Sequence, residues 1–439
     1  MTRRPRIAPA RDWSFPGHQE ARLSTGLTVW AFHLPGQYVV SAALSLDLPL
    51  SLEPPEMEGI ATIVAHTLDE GTLPHPGSEL TARLEDLGAV FAASATLSGT
   101  QVGISVPVTE LAPALPLLAE AVREPALAEA DIVRQVGLRR AELVQVRASS
   151  AHLAAALTPA SVFAPGSRAS RPSGGSTTTV SRVTAEAAQA FHRQHYSPVA
   201  ATLVLAGDFT GLDPLQLAED AFGDWRADRS APEHQPPAAA VPSQRLVARS
   251  SAVQADVRLL AFACDRLDPR WPALQVASVA MGGAFQSRLN TVLRERRGWT
   301  YGVHLTPYPL RGAGYLAFSG SFRTEVVAPA LAEARALLDI SQRPFSAREV
   351  ARAIRYLTDI APLRYATAAA VCQQAVVLAC HGLDPAYLDQ SRARTRTVTP
   401  QQATAAYAEL WPSEPSLLVV GHPDLAEALQ VPAEPAPEL

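Results

Sequence analysis

At 439 residues, 47% of them hydrophobic and 18% charged, the chain has the composition of a globular protein long enough for more than one core, which excludes an intrinsically disordered class. A formal net charge of −5 argues against nucleic-acid binding by bulk electrostatics. No apolar run approaches the roughly 18 residues that a bilayer span needs, so no membrane association is expected.

The N-terminal stretch MTRRPRIAPARDWSFPG is basic and lacks the apolar centre of a signal peptide. All 37 basic residues are Arg, a feature we ascribe to genome composition. Cys264, Cys372 and Cys380 form no C-x-x-C pair and are expected as reduced, buried thiols. A cytoplasmic location follows as the expectation.

Residues 59–72, GIATIVAHTLDEGT, carry the first specific signal. Pro54 and Pro55 precede them, Glu56 and Glu58 suit a helix N-terminus, and Met57, Ile60, Ala61, Val64 and Leu68 recur at helical spacing. A mostly buried helix is predicted, with Gly71 at its C-terminal end. Residues 80–122 then read helix, strand, strand, helix, and Glu142 follows in the context RRAELVQ. Ser173-Gly174-Gly175-Ser176 is Gly-rich but lacks the Lys of a phosphate loop, so it is read as a structural turn.

The chain also repeats itself. Residues 183–209 place a Val-Thr cap before an Ala-rich helix, a Pro and an apolar strand closing on Gly; residues 398–424 do the same 215 positions later. Residues 289–338 repeat the order of residues 80–122. Each half reads as an α+β unit, a mainly antiparallel sheet packed with helices, giving two tandem homologous halves. We expect an N-terminal half over residues 1–230, a Pro/Ala-rich linker over 231–243 with nothing to bury, and a C-terminal half over 244–439. Within the second half, residues 282–303, GGAFQSRLNTVLRERRGWTYGV, are the other specific stretch, and His304 follows them.

These two stretches and the tandem halves resemble the pitrilysin–insulysin–mitochondrial processing peptidase family of inverted-motif zinc peptidases. The likeness runs from the strand at residues 28–35 to Gly421. Laid over the family's G-x-x-H-x-x-E-H…G-T frame, Thr62 takes the first His, Ala65 the Glu, and His66 keeps the second His. Glu142, 76 positions after His66, matches the family's third ligand. In the motif, residues i and i+4 project from one helix face to grip one zinc, and the Glu activates the bound water. With Thr62 and Ala65 in place, only His66 and Glu142 remain as possible ligands, and no metal is expected in this chain.

The resemblance also implies roles for Arg294 and Tyr301, seven apart as in the family's Arg/Tyr pair. The Tyr hydroxyl donates to the oxyanion of the scissile carbonyl, and the Arg contacts substrate backbone; such a donor is worth roughly 3–4 kcal/mol. The implied protein is the non-catalytic subunit of a heterodimeric, bacterial-type enzyme. A homologous subunit with intact H-x-x-E-H would hold the zinc, and the two would close as a clamshell around a peptide substrate. A scaffold or peptide-binding protein of the same fold, with no part in proteolysis, is the other reading that the resemblance leaves open.

Overall fold

Alternation along the strands sorts their side chains to two faces. In the segment Val39–Leu46, Val40, Ala42, Leu44 and Leu46 point into one core while Ser41, Ala43 and Ser45 point to the opposite side. The computed structural model describes residues 12–226 and 230–439, so most of the basic N-terminal stretch lies outside the described residues. Six strands build the first sheet: β1 (Gln19–Arg22), β2 (Thr28–His33), β3 (Val39–Leu46), β4 (Val90–Thr96), β5 (Gly99–Pro107) and β6 (Ala201–Gly207), in the order β1-β2-β6-β3-β5-β4. The second holds β7 (Gln244–Ala248), β8 (Gln254–Ala263), β9 (Val303–Pro309), β10 (Gly314–Arg323), β11 (Ser416–Gly421) and β12 (Ala433–Pro435), in the order β12-β7-β11-β8-β10-β9.

Five strands of each sheet correspond in order and direction. β2 runs parallel to β6, as β7 does to β11, and from that pair outward to β4 and β9 every pairing is antiparallel. The Val-Thr repeat has a physical basis in capping. Thr184 accepts the amide of Ala187 at the start of the helix Ala185–His195, and Thr399 forms a capping box with Gln402 before Pro400–Leu410. The expected tandem α+β architecture is the one present.

One face of each sheet packs on helices of its own half, and the opposite face receives a helix from the other half. The helix Ser150–Leu157 lies on β8 and β11, with Leu153, Ala154 and Leu157 among Leu260, Leu418 and Val420. In return, the helix Ala368–Cys380 lies on β3 and β6, with Val371, Cys372, Ala375 and Val376 among Phe32, Val204 and Ala206. Both of its cysteines take part: Cys372 Sγ donates to the Val204 carbonyl, and Cys380 Sγ is 3.0 Å from Ser45 Oγ. All three cysteines are unpaired and buried.

The Pro/Ala-rich segment 231–243 is pinned to the first half. Ala164 and Ala240 donate backbone hydrogen bonds to Ala238 and Val162, and His234 reaches Asp47 at 2.6 Å. A Pro/Ala-rich chain needs no large side chains for such backbone pairing, which is why composition concealed it. Among the described residues, no helix is long and apolar enough to cross a membrane.

Candidate functional site

The helix bearing the motif positions is short. It runs over Ile60–Ala65, entirely buried, and not on to Gly71 as the apolar spacing implied. From Thr67 onward the amides turn to carbonyls three residues back, Thr67 to Val64 and Leu68 to Ala65, while the Thr67 hydroxyl takes the Ile63 carbonyl at 2.7 Å. Leu68 stays buried in that turn, so the periodic pattern outlasts the helix.

Its N-terminus is not capped by Glu56 or Glu58 but by Glu53, whose Oε1 accepts the amides of Gly59 and Ala61 at 3.0 and 3.1 Å. The other carboxylate oxygen of Glu53 receives Arg168 at 2.7 and 2.9 Å, and Glu58 receives Arg171 at 2.7 Å. Gly59 adopts φ 100°, and a Cβ there would stand 2.7 Å from the Gly174 carbonyl oxygen, so only glycine fits. The Gly-rich turn therefore serves packing: Ser176 caps the helix Thr177–Val180, and Thr179 donates to the Glu58 carbonyl at 2.7 Å.

Around the motif positions the donors are few. Thr62 and Ala65 are buried within the helix, and His66 at its end is exposed. The neighbouring helix Glu129–Ala148 carries Glu142, exposed and tied to Arg139 at 2.7 Å, while Gln135 and Arg134 both bind Glu70, at 2.9 and 2.6 Å. Burial pushes the Asp69 carboxyl up. Among the described residues, no three His, Cys, Asp or Glu side chains gather where they could hold a metal ion. A catalytic zinc needs three protein ligands and an open position, and these side chains do not fit it.

In the second half, the helix Trp271–Ser278 opens into wide π-helical turns: Ala284 donates to Val279 and Arg297 to Val292, each five residues back. Gly282 lets this turn approach β9, since a Cβ there would be 2.7 Å from the Leu305 nitrogen. Arg288 is structural, bound to both oxygens of Glu349 at 3.1 Å and to the Arg343 carbonyl at 2.7 Å. Arg294 packs its guanidinium on the Phe285 ring, 3.3 Å from the ring centre, and binds Glu295 at 2.9 Å.

Buried Asn290 fixes the start of β9. Its Nδ2 donates to the Val303 carbonyl at 2.9 Å, and its Oδ1 accepts the Val303 amide at 3.0 Å. Two residues before that anchor, Tyr301 is 98% exposed and stands at the edge of a cleft of about 700 Å³. His304, Asp256, Arg258 and Ser321 line the same cleft, and Asp256 is paired with Arg258 at 3.0 Å. Asn290, Phe285 and the Glu53–Arg168 pair were not singled out in the sequence. The first two are single residues inside a longer motif, and the pair lies 115 positions apart, so no local pattern marks them.

This tandem α+β architecture is that of a known class of peptidase-like proteins. Two models of one family match in succession: "Insulinase (Peptidase family M16)" over residues 29–165 and "Peptidase M16 inactive domain" over residues 182–357. Together they account for most of the chain, and it belongs to peptidase family M16. An uncharacterized zinc protease of Streptomyces coelicolor is 24% identical over 378 residues, 84% of this chain and 82% of that protein.

Among solved structures, a peptidase M16 inactive domain of Pseudomonas fluorescens superposes with a TM-score of 0.84 at 21% identity, covering 95% of this chain and all of that one. A Helicobacter pylori protease gives 0.84 at 16%, over 93% and 100% of the two chains. A chain of complex III2 from Candida albicans gives 0.78 at 16%, over 94% and 97%. At these identities the likeness is one of fold.

Proposed function

We propose that this chain is the non-catalytic subunit of a two-subunit zinc metallopeptidase. It supplies half of the peptide chamber and presents Arg294 and Tyr301 to a substrate held in the partner's active site. The observation that carries this reading is the contrast between its two halves. Thr62, Ala65, His66 and Glu142 offer no three-ligand set, whereas Tyr301 stands bare at the edge of a cleft and Arg294, seven residues earlier in the chain, is held by Phe285 and Glu295. A hydroxyl so exposed, on a loop so firmly anchored, suits contact with something outside this chain better than packing within it.

The zinc, its ligands and the general base belong on a homologous partner with intact H-x-x-E-H. In that composite site Tyr301 donates to the developing oxyanion, and Arg294 offers fixed donors to substrate backbone. Similarity to an uncharacterized zinc protease of Streptomyces coelicolor supports the reaction class.

Reconstitution tests it. This chain, mixed with a homologous subunit that carries intact H-x-x-E-H, is expected to elute as a 1:1 complex burying at least roughly 1,000 Å². Peptide cleavage should need both chains, and metal analysis should find zinc on the partner alone. A partner fully active by itself would sink the assignment and favour the scaffold reading.

A further inference from the structure

A second cavity, of about 390 Å³, shares no lining residue with the cleft at Tyr301. It lies between the helices Trp271–Ser278, Ala347–Asp359 and Tyr387–Arg396, the strand β9 and Trp13. Three guanidiniums line it, those of Arg266, Arg364 and Arg392, and among the described residues no Asp or Glu does. None of the three is ion-paired with a carboxylate among the described residues. Arg392 is occupied in holding the wall, donating to the carbonyls of Thr358 and Trp13. Arg364 is not, and among polar groups of the described residues the Arg266 guanidinium meets only the Tyr387 hydroxyl.

Aromatic rings make up much of the remaining wall. Trp13 stacks on Tyr365 at 5.7 Å and 15° between planes, and the Tyr365 hydroxyl is held by Gln374. Tyr387 donates to the Arg266 carbonyl at 3.0 Å, which fixes the backbone that carries the guanidinium. Among the described residues, only five buried side-chain polar atoms lack a hydrogen-bond partner, and two of them are Arg266 Nε and Trp271 Nε1, on neighbouring side chains of this wall. Trp271 is 2% exposed. Burial draws the Arg266 guanidinium below the ordinary arginine range.

A half-buried cation without a carboxylate partner and with unmet donors around it is a costly arrangement unless an anion completes it. The volume is that of a small-molecule site, and planar guanidinium and indole faces favour a planar partner. We infer that this cavity binds a small aromatic anion, a flat ring carrying a carboxylate or phosphate, with the anionic group at Arg266 and Arg364 and the ring against the aromatic wall.

The inference is independent of the proposed proteolytic role and is tested on the full chain alone. Phenylacetate, phenyl phosphate and the neutral phenylacetamide are titrated by ligand-observed NMR. At least one of the two acids should bind in the millimolar range or tighter, and the amide about tenfold more weakly, the measure of one charge-assisted hydrogen bond. Whichever acid binds more tightly identifies the anionic group.

Arg266→Gln should weaken that acid about tenfold. Arg364→Gln, at the exposed mouth, should weaken it a few-fold and decides the matter if the first variant fails to fold. Absence of binding by both acids, equal binding of the amide, or undiminished binding in folded Arg364→Gln would each overturn the inference.

Discussion

Arg294 and Phe285 form a stacked pair, cation on ring at 3.3 Å, with the ring itself 71% exposed. An exposed cation–π contact of this kind is worth about 0.5–1 kcal/mol. In the reconstituted peptidase, Phe285→Ala should therefore raise KM a few-fold and leave kcat and thermal stability nearly unchanged, while Phe285→Tyr should behave as wild type. Arg294→Ala should raise KM further, with poor rescue by Lys, because a single ammonium cannot replace the planar fork. Steady-state kinetics of the heterodimer check all four variants; a Phe285→Ala effect confined to stability would contradict a positioning role.

Tyr301→Phe removes one hydroxyl from a side chain that this chain hardly touches. Stability should change by no more than about 0.5 kcal/mol. If the hydroxyl meets the oxyanion, kcat and kcat/KM should fall together by about 10²-fold, with complex formation and zinc content unaltered. Wild-type kcat at saturating partner would end the case for a catalytic contribution.

Asn290→Ala leaves the Val303 amide and carbonyl without their side-chain partner in a buried site, a loss of about 1–3 kcal/mol. Thermal or denaturant unfolding should show it. Asn290→Asp retains the acceptor but not the donor, so it should also destabilise. Because the anchor sits two residues from Tyr301, activity of the folded variant should drop through kcat as well.

Much of this architecture was legible because its signals are local. The Thr184 and Thr399 caps, the Pro before each apolar strand and the Gly at its end recur within some 27 residues, so the repeat and the α+β halves could be read directly. Tyr301 and Arg294 stood out for the same reason, within one 22-residue stretch. The length of the motif helix was not legible, since buried Leu68 mimics another helical turn. Nor was the true cap, because Glu53 acts through space on Gly59 and Ala61 and draws Arg168 from 115 positions away.

That capping pair should be stringent. The Glu53 side chain is fully buried and that of Arg168 is 7% exposed. Arg168→Ala strands the carboxylate beneath the motif helix and should cost about 3–5 kcal/mol. Arg168→Ala combined with Glu53→Ala should cost less than the sum of the two single changes, since the second removes the orphaned charge. Strict additivity in urea melts would show that the two residues act separately.

Acid should weaken the fold through His192. Burial lowers its pKa from the ordinary histidine value of 6.5 to about 4, and its Nε2 donates to the Val122 carbonyl at 2.8 Å. The folded chain holds this ring neutral while the unfolded chain protonates it. Its contribution is thus full above about pH 6.5 and is lost as pH falls towards 4. His192→Gln, which keeps a donor but cannot titrate, should flatten the slope of unfolding free energy against pH across that window. An unchanged slope would place the acid sensitivity elsewhere.

The exchange of helices between the two sheets has a mechanical consequence. Ser150–Leu157 belongs to the first half by sequence yet covers the second sheet, and Ala368–Cys380 does the reverse. Prising the halves apart would strip an apolar face from both sheets at once, so the subunit cannot flex at its midpoint as a jaw does. The two halves are locked together by this exchange rather than by the linker alone. Cutting the gene at the linker would accordingly yield two fragments, each with an uncovered sheet, that are soluble only when made together.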